Sequence, residues 1–331
     1  MLNIDSNRSA GRAATVRMRV FAALIFLTLT VSGQALAKVK VVATLADLGW
    51  IAEQVGGDDA EVEFLCQGHR DPHFLPAKPS LARKLKKADL LVYNGLELEI
   101  GWLPLLLDAA RNPRIRPGQQ GELNCALALG KGEILQVPVG EVDRSQGDIH
   151  PLGNPHYLLD PRMGIEVGRL MAERLARIDP EAADRYRSRA EQLAKEIEAR
   201  MEDWEARVDI LAVKKVIVYH QLWEYLVDWL GLEILGVIEN RPGISPAPRH
   251  VEGLIELGRQ EGPVLVIAAT WDHIEAADRV AEKTGSALAV MPASTYATEE
   301  AAGYLDLFEV ICGKLEAAAQ AAAQTGAEGG S

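Results

Sequence analysis

One order of elements occurs twice in these 331 residues, and it restricts the fold more than any single motif does. "LPAKPSLARKLKKADLLVYNG" and "SPAPRHVEGLIELGRQEGPVLVIAAT" both run from a proline loop into a helix and out through an apolar strand. Before the first, "VKVVAT" at 39–44 and "EVEFLC" at 61–66 read as strands separated by a helical stretch to about Val55. Ser80 stands where it can cap the helix "LARKLKKA", which delivers the strand "LLVYNG" at 90–95. Before the second, "KKVIVYH" and "LEILGV" read as strands around the helix "QLWEYLVDWLG". Alternation of this kind predicts a parallel sheet with helices on its faces, here formed twice.

The segments between the two units are of another kind. Residues 162–177 and about 180–209 are rich in Ala, Glu, Arg and Leu and are broken at "IDP". The second reads as one helix of some 30 residues, about 45 Å long, stiff enough to join two bodies. The expected fold is therefore α/β: two similar lobes, each a mostly parallel sheet flanked by helices, joined by a long linking helix. The expected organisation is an N-terminal lobe at 38–161, linking helices at 162–211, a C-terminal lobe at 212–315 and a disordered, low-complexity tail at 316–331.

At the N-terminus, Arg8, Arg12, Arg17 and Arg19 precede the apolar run "VFAALIFLTLTVSG" and the small residues Ala35-Leu36-Ala37. This is the pattern of a secretory signal peptide over 1–37, with the mature chain starting at Lys38 and Met18 as a second candidate start. The run is about 14 residues, short of the roughly 20 a membrane span needs. No cysteine follows the cleavage site, so a soluble periplasmic product is expected rather than a lipid-anchored one. Cys66, Cys125 and Cys312 are too few for a disulfide framework, although an exported chain can close one bridge, Cys66 to Cys125, or bury the thiols unpaired. The formal net charge of −12, without a basic run, excludes a sequence-independent grip on nucleic acid and suits a cation.

Only seven histidines are present, and five stand in suggestive places. His69 and His73 lie in "HRDPHFLPAKPS", His150 and His156 in "GDIHPLGNPHYLLDP", and His220 ends "KKVIVYH". Open α/β sheets bind ligands beyond the carboxyl ends of their strands, where His220 and the 67–80 loop both fall. Pro72 and Pro155 each precede a histidine and restrict the residue before them, so Asp71-Pro72-His73 and Asn154-Pro155-His156 present imidazoles on stiffened turns. Neutral imidazole is the commonest metal ligand, and His73, His156 and His220 would converge from separate segments on a cleft between the lobes.

The order and spacing of "DPHFLPAKPS", "ADLLVYNGLELE", "NPHYLLDP", "VIVYHQLWEYL" and "EKTGSALAVM" resemble the solute-binding proteins of zinc and manganese ABC transporters, from about residue 39 to about 315. The resemblance implies two α/β lobes joined by a long helix with a metal between them, and His73, His156 and His220 as three of its ligands. A histidine as third ligand is what the zinc-type members show, and three nitrogens suit Zn²⁺ better than Mn²⁺. In many members a fourth ligand, an aspartate, follows the strand after "TG". Pro292, Ala293 and Ser294 stand there in this chain, so the fourth position is open. Asp272 is the first choice because it follows a strand end, and it can equally cap the next helix; His69, His150, Glu239, His273 or water are the alternatives. The His-rich acidic loop of zinc-type members is reduced to Asp143, Asp148 and His150.

The implied function is capture of Zn²⁺ in the periplasm and delivery to a membrane permease driven by a cytoplasmic ATPase, by a monomer and without turnover. A manganese-binding counterpart is the alternative. A zinc hydrolase also uses three histidines and an open position, but no H-E-x-x-H or G-x-S-x-G occurs here. A metal-dependent adhesion or chaperone role remains open. Trp102, Trp223, Trp229 and Trp271 are expected in packing, Asp160 as a helix cap, and Glu97 and Glu99 as supports for a ligand histidine or as solvated groups.

Overall fold

The apolar runs become two sheets of the same design. In the first, β1 (Val39–Ala43), β2 (Ala60–Phe64), β3 (Leu90–Tyr93) and β4 (Glu122–Asn124) are all parallel, in the order β2-β1-β3-β4. In the second, β5 (Lys215–Val218), β6 (Glu233–Val237), β7 (Leu265–Ala269) and β8 (Ala287–Met291) repeat that topology as β6-β5-β7-β8. The computed structural model describes residues 37–130, 132–135, 150–241 and 243–328. The signal segment, apart from Ala37, and Asp143 and Asp148 lie outside the described residues. Parallel strands need covered faces, and the inner strands of the first sheet are accordingly mostly apolar: Val41, Val42, Ala43 and Leu90, Leu91, Val92 are buried, whereas the edge strand β2 carries Glu61 and Glu63.

The first lobe is covered by α1 (Ala46–Gly56), α2 (Pro79–Lys87) and α3 (Leu103–Ala110). Ser80 does not cap α2; the helix begins one residue earlier at Pro79, with Lys78 at the cap position and no side-chain cap bond. Proline at the first helical position forgoes no hydrogen bond and presets φ, which is sufficient to start the helix without a cap. The short β4 and α3 complete the lobe and were not among the expected elements. The connection runs through α4 (Pro161–Ile178), capped as expected by Asp160, whose side chain accepts the Arg162 N–H, and the long α5 (Ala183–Asp209). The latter has 27 residues, about 40 Å at 1.5 Å per residue.

The second lobe carries α6 (Glu224–Trp229), α7 (Pro248–Glu261) and α8 (Glu275–Thr284). The expected helix over "QLWEYLVDWLG" shrinks to the six residues of α6. The last helix, α9 (Tyr304–Glu328), corrects the expectation of disorder after 315. Its Leu307, Ile311, Leu315, Ala318 and Ala322 recur at helical spacing and are all buried. Arg207 of α5 fixes it by reaching Glu309 at 2.6 Å and Glu316 at 2.7 Å. Alanine-rich sequence is low in complexity but high in helix propensity, and a partner surface was enough to fold it.

One hydrophobic core runs from the first sheet through α4, α5 and α9 to the second sheet, and Tyr186, Trp204 and Phe308 are fully buried in it. A smaller cluster lies under the outer face of each sheet. The two lobes therefore share buried apolar surface rather than meeting across a flexible joint.

Candidate metal centre

The carboxyl ends of both sheets open into one cleft of about 400 Å³, lined by Asp71, His73, His156, His220, Glu239 and Asp272 among others. Equal strand order gives each sheet the same crevice, and the cleft is where the two crevices face each other.

The first histidine is set by its own sequence. Asp71 Oδ1 accepts the backbone N–H of His73 at 2.9 Å across Pro72, closing an Asx-Pro turn, and the same oxygen lies 2.7 Å from His73 Nδ1. Trp102 Nε1 donates to the Pro72 carbonyl at 2.8 Å and ties this turn to the lobe. With Nδ1 taken, the Nε2 lone pair faces the cleft.

The second is built the same way. Asn154 Oδ1 accepts the His156 N–H at 2.9 Å across Pro155, so both X-Pro-His sequences are Asx-Pro turns. Here the side chain that closes the turn spans further: Asn154 Nδ2 donates to the Gln221 carbonyl at 2.8 Å and to Glu224 Oε2 at 3.1 Å. Asn94 Nδ2 in turn donates to the Pro155 carbonyl at 2.8 Å. His156 is half-buried, and its Nε2 atom is shut off from solvent with no hydrogen-bond partner among the described residues. Burial, then the neighbouring rings of His73, His220 and His150, push its pKa well below the ordinary value, so the ring is neutral.

His220 follows the end of β5, and Glu239 follows the end of the neighbouring β6. Parallel pairing of the two strands sets Glu239 Oε2 2.6 Å from His220 Nδ1. Burial opposes charge on this imidazole, but the bond and charge of Glu239, with Asp272 and Asp71, outweigh it and raise the pKa.

One nitrogen from each of His73, His156 and His220 lies within 4.8 Å of the others. The ring centroids are 5.2 Å apart for His73 and His156, and 5.9 Å both for His73 and His220 and for His156 and His220. Nitrogen lone pairs crowded together, one of them buried and unsatisfied, are costly unless a cation joins them. Three nitrogens so placed form a donor set that could hold a metal ion.

The other sequence candidates divide. His150 stands beside the cluster, its Nε2 3.1 Å from His73 Nε2. Glu239 is engaged with His220 as described. Asp272 lines the cleft, with Oδ2 accepting the Ala269 N–H at 2.7 Å in its own turn; burial is the main reason its pKa is pushed up to about 6. It does not cap α8, whose cap position is Ile274. His273 lies exposed on the cleft wall, and His69 is exposed in a turn outside the cleft lining.

Glu99 supports no histidine: it is buried and accepts from Thr44 Oγ1 at 2.6 Å and from the Asn94 N–H at 2.7 Å, holding the β1 and β3 ends together. The supports sequence reasoning missed are Asp71 and Asn154, visible as an Asx residue before each Pro-His. Trp102, Trp223 and Trp229 are core residues, whereas Trp271 is half-buried on the cleft wall. All three cysteines are buried free thiols. Ser294, just after β8, donates to Asp47 Oδ2 at 2.6 Å, and Thr295 donates to Asp47 Oδ1 through N and Oγ1 at 2.6 and 2.7 Å. That segment fastens the lobes together.

Residues 41–318 match the family described as zinc-uptake complex component A, periplasmic. The chain is 27% identical over 249 residues to the high-affinity zinc uptake system protein ZnuA of Paracoccus denitrificans, covering 68% of this chain and 74% of that protein. It is 25% identical over 249 residues to the manganese ABC transporter substrate-binding lipoprotein PsaA of Streptococcus pneumoniae, covering 73% and 75%. A crystal structure of ZnuA superposes with a TM-score of 0.70 at 20% identity over 85% of this chain and 99% of that one, which shows a common fold.

Proposed function

The chain belongs to the family of periplasmic zinc-uptake components, and on that premise we propose that it is an exported binding protein that captures Zn²⁺ and hands it to an ABC-type permease coupled to an ATPase. The observation that carries the reading is the convergence of His73, His156 and His220, from three separate segments, around the buried, unsatisfied Nε2 of His156. Imidazoles at about 2.0–2.1 Å from a tetrahedral zinc stand about 3.3 Å from one another, so closing on the ion asks each pair to move by no more than about 1.5 Å.

His150 is the fourth ligand in this reading. Its Nε2 already stands 3.1 Å from His73 Nε2, the spacing of two ligands on one zinc. Asp272 has one oxygen committed to the Ala269 N–H, and Glu239 is better used holding the tautomer and angle of His220. Four nitrogens favour zinc over manganese, whose preference is for carboxylate oxygen. The site is complete within one chain, which suits a monomer.

Delivery needs a docking face. Among the described residues, seven of the eight exposed large hydrophobics, Phe74, Ile100, Leu105, Leu127, Leu152, Ile244 and Tyr296, lie in connections or first helical turns that follow strand carboxyl ends. Exposed apolar side chains on these connections, Phe74 at the cleft itself, suit contact with a protein partner that receives the cargo. None of the described helices is long and apolar enough to cross a membrane.

The test is titration of the demetallated mature protein with Zn²⁺ and Mn²⁺, repeated on His73→Ala, His156→Ala and His220→Ala. Each variant should lose more than about 100-fold in zinc affinity, beyond what loss of a supporting carboxylate costs. Parent-like affinity in all three overturns the site. Tighter binding of Mn²⁺ than Zn²⁺ overturns only the choice of metal. His150→Ala weakening zinc more than Asp272→Ala supports the fourth ligand, and the reverse order refutes it.

A further inference from the structure

We infer that Phe74 is the gate of the cleft: its ring closes the mouth against Gly243 and sets how fast the metal passes, without being a ligand. The inference rests on the reading of the cleft as a metal site. Phe74 is 65% exposed, so burial in its own lobe does not explain a large aromatic there. It directly follows His73, with ring centroids 6.1 Å apart. Across the cleft it meets the second lobe at Gly243, where an added Cβ would lie 3.6 Å from Phe74 Cζ. Gly243 has φ +77°, a conformation glycine adopts freely and that a side-chain-bearing residue rarely does. Both residues line the cleft.

The surroundings leave this contact as the movable one. The backbone under Phe74 is pinned by the Asp71 bond to the His73 N–H and by Trp102 on the Pro72 carbonyl. Elsewhere between the lobes, Asp47 holds Ser294 and Thr295, a Cβ at Gly68 would collide with the Thr295 carbonyl oxygen, and Phe64 stacks on Tyr296 with centroids 5.8 Å apart. The Asp47–Thr295 and Gly68–Thr295 contacts are buried and the Phe64–Tyr296 rings are stacked, whereas Phe74 against Gly243 is a largely exposed ring on a bare backbone. Exposed side chains change rotamer in picoseconds to nanoseconds, far faster than a tightly bound metal leaves, so the ring scales traffic in both directions by the fraction of time it stands aside.

The test is stopped-flow Zn²⁺ association, and Zn²⁺ release into excess chelator, on the demetallated full mature protein, Phe74→Ala and Phe74→Leu. A ring that stands aside about a tenth of the time predicts that Phe74→Ala raises both rates about tenfold while Kd stays within about twofold, with Phe74→Leu between. Rates equal to the parent's in both variants overturn the gate. So does a rise confined to release with Kd weakened by the same factor, which would make Phe74 a stabiliser of the bound state. A parent that takes up no zinc overturns the metal site itself, and is thereby told apart from failure of the gate alone.

Discussion

The two lobes share a strand order and each presents a histidine whose Nδ1 meets a carboxylate, yet they arrive at this arrangement by different means. In the first lobe the carboxylate is two residues from its histidine, and one short turn, Asp71-Pro72-His73, makes both the backbone bond and the ring bond. In the second lobe His220 and Glu239 are 19 residues apart and meet because β5 and β6 pair in parallel. The first ligand is set by local covalent constraint and the second by a sheet. His156 combines them: a local Asx-Pro turn shapes its backbone, and long-range bonds from Asn94 and Asn154 hold that turn in place. A duplicated architecture can therefore deliver equivalent groups without equivalent motifs.

The comparison is most directly broken by exchanging the two carboxylates for amides. Glu239→Gln should weaken zinc binding by about 10–100-fold, because the neutral amide no longer strengthens the His220 ligand and its orientation depends on a distant strand. Asp71→Asn keeps an oxygen in the Asx turn and should sit at the low end, about tenfold or less. Equal losses in a competition titration would show that local rigidity gives the first lobe no advantage.

A smaller effect sharpens the first-lobe side. Trp102→Phe removes the donor to the Pro72 carbonyl and should lower unfolding stability by about 1–2 kcal/mol. It should also loosen the His73 turn, seen as faster amide exchange at His73. A stability loss without faster exchange at His73 would mean that the turn needs no support from outside its own sequence.

The smallest concerns how the first lobe is tied to the long helix. Asp59 meets Arg185 at 2.7 Å and Arg189 at 2.9 Å, and the hydrogen bond from Arg185 is the main cause that holds its pKa down at about 2. A carboxylate with a depressed folded-state pKa adds stability above its unfolded value, near pH 4, and that stability fades as pH falls towards 2. Asp59→Asn should cost about 0.5–1 kcal/mol at neutral pH and flatten the decline in stability between pH 4 and 2. A variant as steep as the parent in acid thermal melts would show that the pair contributes nothing.

Much of this molecule was legible in its sequence. The strand–helix alternation, the long helix and the Pro-His turns rest on neighbouring residues, and such features survive reading one segment at a time. Ser80 was misjudged because Pro79 starts the helix by itself, and the tail because its alanines fold only against α5 and the bodies of the lobes. Glu99 sits in a stretch that reads like a ligand support, but the folded chain spends it on the β1 and β3 ends.

The sequence by itself determined which residues could be ligands and the local shape of two of the three turns that carry them, because proline and a preceding Asx act over three residues. Only the tertiary structure decided that Glu239 serves His220, that Ser294 and Thr295 grip Asp47, and that Phe74 meets Gly243 across the cleft. Those pairings depend on strand order and on the shared core that fixes one lobe against the other, and no stretch of contiguous sequence contains that distance.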